Sequence, residues 1–288
     1  MSADGPQVTI VHACLRDGQG GSATAVVEET SMTDGERHRV PVLTGTSHAV
    51  FVSVHEESGG PVAAVRFFTA EEELPACGHG TVAALAFLAD RAGSGEHRTT
   101  LHTLGGVLDG WAGWEGQHVT ASFDTGPVVL REPTTTECDL VLPALGITPD
   151  LSVPGIQVAA VGRPRLLVPV STRSVLAGLA PNLDRLRAAC DSLGLLGCYV
   201  YSVPERSGRA AARMFAPSIG VPEDVANANS TACLAAHLAD QGVTGITVDM
   251  GDSLDHPSTI TAAAQPGTPS GLVRVGGAAR IARVLRLP

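Results

Sequence analysis

Two stretches of the chain, 150 residues apart, carry the same order of residues. Residues 81–90 and 231–240 agree at five of ten positions, and each follows a strand-like segment, at 66–70 in the first half and 213–217 in the second. An internal repeat of strand, turn and helix indicates a duplicated structural unit. The sequence therefore predicts two similar α+β domains, each with strands wrapped around one apolar helix.

The predicted domains are residues 1–132 and 133–288. Residues 133–136, Pro-Thr-Thr-Thr, predict a linker between them. Residues 275–285 predict a final strand, and whether it packs back on the first domain is left open.

Composition limits the chemistry. Hydrophobic residues make up 44% of the 288 and charged residues 17%, as in soluble globular proteins. The 19 basic residues are all arginine, which excludes a lysine Schiff base and a GxxxxGK phosphate loop. A net charge of −10 argues against a nucleic-acid partner.

The cellular location of the protein and its lack of a metal are predicted mainly from sequence motifs that the chain does not contain. The apolar runs are too short to span a bilayer, and the first residues lack a secretory pattern. Six cysteines form no CxxC pair, which predicts reduced thiols in a cytoplasm. Neither HExxH nor paired Cys/His spacing occurs, so we expect no metal. The oligomeric state is left open, with a homodimer as one form.

Both predicted helices begin after turns of small residues, at 77–80 and 226–230. A helix N-terminus presents unpaired N–H groups and the positive end of the helix dipole, so it binds carboxylates well. We expect the two helix starts to face a cleft between the domains that holds a small anionic substrate.

Five blocks of sequence are similar to the motifs of one known family. Residues 20–27 are similar to its GGNPAAVV block, and 47–52 to SETAFV. Residues 66–81 resemble RFFTP…CGHAT, 215–224 resemble FAP…EDP, and 275–279 resemble the late VGG-x-A strand. In these blocks the chain resembles the PhzF-like branch of the diaminopimelate epimerase superfamily. The resemblance implies two pseudo-symmetric epimerase-like domains and a cofactor-independent isomerase or epimerase of small carboxylates. In that family a glutamate of the SETAF block carries the proton, helped by the His of CGH and the Asp of EDP.

The chain departs from this pattern at the proton carrier, where His48 replaces the glutamate. An imidazole with a pKa of about 6.5 can take and return a proton near neutral pH, so we predict His48 as the acid–base group. The alternative is an inert histidine at a strand end. Residues 225–229 also differ from the family's PATGS. Cys77 aligns with the first cysteine of diaminopimelate epimerases, but the second aligns near Val225, so two-thiol racemisation is not expected.

The other candidate residues follow from the same alignment. His79 and Asp224 are predicted to stabilise charge or relay the proton, against the alternatives of packing and helix capping. Cys77 is either a buried filler or a reactive thiol. The predicted substrate-binding residues are Ser47, Cys77, Gly78, Gly80, Thr81, Asn227, Asn229 and Ser230.

Three functions remain open. The first is an isomerase that moves a proton, and with it a double bond, in a small unsaturated or cyclic carboxylic acid. Double-bond isomerases of antibiotic alkylproline pathways resemble this fold and give the specific expectation. The second is a catalytically silent relative that binds a metabolite or a partner protein. The third is an amino-acid epimerase or a dehydratase.

Overall fold

The computed structural model describes residues 5–28, 31–57, 60–93, 95–148, 151, 153–265 and 272–288. The chain forms two compact units, Met1–Asp124 with Gly276–Pro288, and Thr125–Val275. The boundary lies at residue 124 rather than 132, because residues 129–131 form a strand that pairs inside the second unit. The C-terminal segment pairs with the first strand of the chain and belongs to the first unit.

Both units contain helices and strands. Those of the first unit are β1 (Gln7–Leu15), β2 (Ser22–Glu28), α1 (Asp34–Thr44), β3 (His48–Glu57), β4 (Gly60–Phe68), β5 (Glu73–Leu74), α2 (Gly78–Ala92), β6 (Glu96–Thr103), β7 (Gly106–Glu115) and β8 (His118–Asp124). Those of the second are β9 (Val129–Arg131), α3 (Thr135–Leu145), β10 (Gln157–Ala160), β11 (Pro164–Val170), α4 (Arg173–Ala177), α5 (Leu183–Leu193), β12 (Cys198–Ser202), β13 (Arg209–Ala216), β14 (Val221–Asp224), α6 (Ala228–Ala239), β15 (Gly245–Met250) and β16 (Ser258–Ala264). The last strand is β17 (Val273–Arg286).

The strands of the first unit close into a ring. The hydrogen-bonded order is β1, β2, β3, β4, β6, β7, β8 and β17, and β17 pairs again with β1. The β2–β3 and β4–β6 pairs are parallel, while β1–β2, β3–β4, β6–β7, β7–β8 and β17–β1 are antiparallel. A closed ring leaves few free strand edges.

Helix α2 lies against the inside of this ring, packed on β1, β2, β3, β6, β7 and β8. It is buried along most of its length, as its Ala-rich sequence predicts. Gly110 of β7 allows this close packing, since a Cβ there would lie 2.5 Å from a side-chain carbon of Leu85. The prediction of strands wrapped around one apolar helix is confirmed in this unit.

The second unit has a mixed sheet with strand order β9, β10, β11, β12, β13, β15 and β16. β14 pairs with the end of β13. Helices α3 and α5 contact each other, and their apolar side chains join those of β10–β13 in one core. Helix α6, the repeat partner of α2, packs on β10, β15 and β16. None of the described helices combines the length and apolar character that crossing a membrane requires.

The predicted linker at residues 133–136 is wrong, because it starts helix α3. Thr134 accepts a hydrogen bond from the backbone N–H of Glu137, whose carboxylate accepts from the backbone N–H of Thr134. This reciprocal pair is a capping box, which satisfies N–H groups that a helix start otherwise leaves unpaired. Its Thr-x-x-Glu signature is present in the sequence.

One side-chain arrangement occurs in both units and supports the duplication. In each, an arginine forms a bidentate ion pair with a glutamate of the following strand, at 2.7–2.8 Å in the first unit and 2.7–2.9 Å in the second. The same guanidinium lies over a phenylalanine two residues later, 4.9 and 4.8 Å from the ring centre. The two sets are Arg66, Phe68 and Glu73, and Arg213, Phe215 and Glu223.

Candidate active site

The start of β3 and the start of α2 bring together residues 31 positions apart. His48 is the first residue of β3, and its backbone aligns with Thr24 through the parallel β2–β3 pairing. His79 lies in the first turn of α2, two residues after the N-cap residue Cys77. The ring of strands around α2 therefore places the two histidines side by side.

The two imidazoles are in direct contact. His79 Nε2 lies 3.2 Å from His48 Nδ1, and the rings meet edge to face with their centres 4.5 Å apart. The Sγ atom of Cys77 lies 3.6 Å from His79 Nε2, and the hydroxyl of Ser47 lies 2.9 Å from His48 Nδ1. Two facing ring nitrogens form a hydrogen bond only when one carries a proton and the other a lone pair. When both rings are neutral, one of these two nitrogens therefore carries the proton and the other accepts it.

His48 lies in a site that favours its neutral form. The residue is 3% exposed. Burial, followed by the charge of His79, lowers the pKa of His48 well below its usual 6.5. A neutral imidazole can accept a proton, so at neutral pH His48 is in the basic form that proton abstraction requires.

The first turn of α2 is held by backbone and side-chain contacts. Both the N–H and the hydroxyl of Thr81 donate to the carbonyl of Cys77, at 2.8 and 2.9 Å. A Cβ at Gly80 would lie 2.9 Å from Cys77 Sγ and 3.0 Å from the ring of Phe67, so any larger residue would force one of these side chains to shift. Thr81 and Gly80 thus shape the turn; substrate binding by them and by Gly78 stays a prediction.

In the second unit, the predicted residues gather at the start of α6. Asn227 caps the helix by accepting from the N–H of Ser230 at 2.9 Å, and its amide donates to Asp224 at 2.9 Å. Asp224 is buried and Asn229 is half-buried. The capping role that the sequence left open for Asn227 is therefore observed, while the binding roles of Asn229 and Ser230 and the catalytic role of Asp224 stay predictions.

Sequence reasoning missed a buried arginine beside this turn. Arg165 of β11 is 1% exposed and lies 3.4 Å from the hydroxyl of Ser230. It also donates to the carbonyls of Val161 and Arg163, at 3.0 and 2.7 Å. A charged residue inside the apolar strand Pro164–Val170 was the available signal, because arginine is rarely buried without a specific role.

The first-unit cluster also has the makeup of a metal site, which the sequence did not predict. The candidate ligand atoms of His48, Cys77 and His79 all lie within 4.8 Å of one another. Motif scanning misses such a set because one ligand is far from the other two along the chain. Without a metal, the same arrangement of a neutral histidine, a second histidine and a thiol can take part in proton transfer.

Comparison with known proteins relates the chain to isomerases. Residues 16–283 match the PhzC-PhzF family, described as phenazine biosynthesis-like proteins. Since the match spans nearly the whole chain, the protein belongs to this family.

Named relatives agree with that assignment. An uncharacterized isomerase of Deinococcus radiodurans is 30% identical over 287 residues, covering 92% of this chain and 89% of the relative. The trans-2,3-dihydro-3-hydroxyanthranilate isomerase of Pseudomonas chlororaphis is 28% identical over 228 residues, covering 78% and 76%. The solved structure of a predicted epimerase from Pseudomonas aeruginosa shares the fold, with a TM-score of 0.84 at 24% identity over 98% of this chain and 99% of that one. The recognition of the family, the fold class and the expectation of an isomerase are confirmed.

Proposed function

We propose that this isomerase moves a proton, and with it a double bond, in a small unsaturated or cyclic carboxylic acid without a cofactor. The observation that carries the proposal is the buried, neutral His48 in contact with His79 at the start of α2. The relative from Pseudomonas chlororaphis is named for an isomerisation of a dihydro-hydroxyanthranilate, which is a cyclic acid of this general kind.

The proposed reaction uses His48 as both base and acid. Its neutral ring removes a proton from a carbon next to the double bond, and the C–H electron pair forms a new C=C bond. The original double bond shifts its electrons to its far carbon, which takes a proton back from the imidazolium. Atoms and charge balance, since the ring ends in the state in which it began.

His79 supports this cycle from the helix start. Its ring nitrogen contacts His48 Nδ1 at 3.2 Å, so a hydrogen bond between the rings holds one tautomer of His48. The backbone N–H groups at Gly78 and Gly80 lie at the positive end of the α2 dipole, where a substrate carboxylate is stabilised. Ser47 contacts the same nitrogen of His48, which orients the ring further.

For the second unit we propose that Asn229 and Ser230 at the start of α6 bind a polar group of the substrate. Asp224, held by the amide of Asn227, is proposed to stabilise charge as the proton moves. Thr81 and Cys77 of the first unit complete the proposed binding set.

The exchange of the family's glutamate for His48 supports an altered substrate, and we propose that the protein acts in specialised metabolism of the alkylproline type.

Incubation of the enzyme with candidate cyclic and unsaturated acids in D2O tests the proposal, because proton transfer at carbon introduces deuterium that NMR detects. Deuterium in the recovered acid and a shifted double bond are the expected results. Tight binding in calorimetry without exchange would instead support a silent relative. Loss of optical rotation without a shifted bond would support an epimerase, and loss of water a dehydratase.

A further inference from the structure

We propose that His48, Cys77 and His79 form a binding site for a thiophilic divalent cation such as Zn²⁺, and that the bound ion stops proton transfer by His48. The binding itself is independent of the proposed function, whereas its effect on turnover rests on that function.

Two of the three spacings between the ligand atoms match a tetrahedral zinc site. With Zn–N of about 2.0–2.1 Å and Zn–S of about 2.3 Å, tetrahedral geometry places two nitrogens about 3.4 Å apart and a nitrogen and a sulfur about 3.6 Å apart. His48 Nδ1 and His79 Nε2 are 3.2 Å apart, and Cys77 Sγ and His79 Nε2 are 3.6 Å apart. Two edges of the coordination shell are thus close to the required length, and all three ligand atoms lie within 4.8 Å.

The donor set selects the class of ion. One thiol and two imidazoles suit zinc and related transition metals, while magnesium and calcium prefer oxygen ligands. No carboxylate joins this cluster among the residues that the structure describes. Three protein ligands leave the fourth position for water or an anion, as in zinc sites that stay open to small molecules.

The backbone around the cluster is already fixed in position. Thr81 holds the carbonyl of Cys77, and the hydroxyl of Thr46 donates to the carbonyl of His48 at 3.0 Å. Each ligand is 2–6% exposed, with Cys77 the most accessible. Metal binding would replace Ser47 and His79 as the partners of His48 Nδ1, and it needs no movement of the backbone to bring the ligands together.

A bound ion would remove the base. A neutral imidazole has a single lone pair, and coordination through Nδ1 uses that pair and leaves the proton on Nε2. The ring can then no longer accept a proton from carbon. Zinc is therefore expected to inhibit isomerisation reversibly, and a chelator to restore it.

Cobalt(II) provides a readout that does not depend on activity. The full-length, metal-stripped enzyme is titrated with Co²⁺ and followed by absorption spectroscopy. We expect one ion per chain, visible bands of tetrahedral cobalt and a thiolate-to-cobalt charge-transfer band in the near ultraviolet. Zinc should displace the cobalt, and magnesium should not.

Matched variants locate the ligands. Cys77→Ser should lose the charge-transfer band and His79→Ala should weaken Co²⁺ binding at least 100-fold, since removing a direct ligand exceeds the 10–100-fold cost of removing an outer-shell partner. Cys138→Ser, at a partly exposed thiol outside the cluster, should behave as wild type. Absence of the charge-transfer band in the wild type, or its survival in Cys77→Ser, would overturn the site.

The deuterium-exchange assay separates the two parts of the proposal. Exchange that stops with Zn²⁺ and returns with chelator supports inhibition. Exchange that continues with a cobalt-saturated site overturns inhibition while the site stands. An enzyme that shows the cobalt bands but no exchange with any acid contradicts the proposed function and leaves the metal site supported.

Discussion

Acidification should destabilise this protein through His48. In the unfolded chain the ring titrates near its ordinary pKa of about 6.5, whereas in the folded chain burial holds the pKa well below that value. Below pH 6.5 the unfolded state therefore binds a proton that the folded state does not. Stability rises with pH wherever the unfolded state binds more protons. The stability associated with a neutral, buried His48 is therefore fully present above pH 6.5 and is lost as pH falls toward the folded-state pKa.

The size of the effect follows from one proton. Within that window the free energy of unfolding should fall by up to about 1.4 kcal/mol per pH unit for a single group. His237 adds to the wild-type slope, since burial lowers its pKa too. The contribution of His48 is therefore the difference between wild type and His48→Gln, a variant that keeps a polar side chain but does not titrate.

Urea unfolding followed by circular dichroism at about pH 7.5, 6.5 and 5.5, in the presence of chelator, measures this difference. The His48→Gln curve should be flatter than wild type by about 1 kcal/mol per pH unit below 6.5. His55→Gln is the matched control, because His55 lies on the same strand and is exposed, and it should follow wild type. Parallel curves for wild type and His48→Gln would refute the claim that His48 is held neutral by burial.

Further predictions concern the capping box and the α2 turn. Glu137→Gln should lower the free energy of unfolding by about 2 kcal/mol at neutral pH, as measured by urea unfolding. The reason is that Arg131 and Thr134 lower the pKa of Glu137 from 4.5 to about 2. The expected loss is smaller than this shift alone would give, because Arg131 is half-exposed and solvent screens the ion pair. That contribution should vanish as pH falls from about 4.5 toward 2; an equal loss in the exposed control Glu132→Gln would contradict it. Gly80→Ala should lower the free energy of unfolding by about 1–3 kcal/mol, because the added methyl group overpacks against Cys77. The control Gly35→Ala, in open space within α1, should be neutral or stabilise the protein by up to about 1 kcal/mol. Similar melting temperatures for the two variants would argue against a tight turn at Gly80.

The repeated segments made the larger features of the fold predictable. Helices α2 and α6 follow from their Ala-rich repeats, because an apolar stretch without polar faces is stable only when buried. The position of His48 on a strand also follows from the sequence. Residues 78–80, which the sequence predicted as a turn before α2, instead form the first turn of that helix. Helix α3 was missed since its Thr-x-x-Glu start was interpreted as a linker.

The distances within the cluster were beyond sequence reasoning. Contact between His48 and His79 depends on the parallel register of β2 and β3 and on how α2 sits inside the ring of strands. Neither is encoded in local spacing. The same holds for Arg165, whose neighbour Ser230 is 65 residues away. Burial of a single charged side chain depends on tertiary packing, which periodicity does not show.

The central claim is that the side chain at position 48 carries the proton, and one comparison of variants tests it directly. The rate of deuterium incorporation into the substrate is measured for wild type, His48→Gln and His48→Glu, the last of which restores the residue of the family pattern. We predict that His48→Gln loses at least about 100-fold, as removal of a general base does, and that His48→Glu recovers part of the rate because a carboxylate can also carry a proton. Exchange by His48→Gln at the wild-type rate would contradict the account.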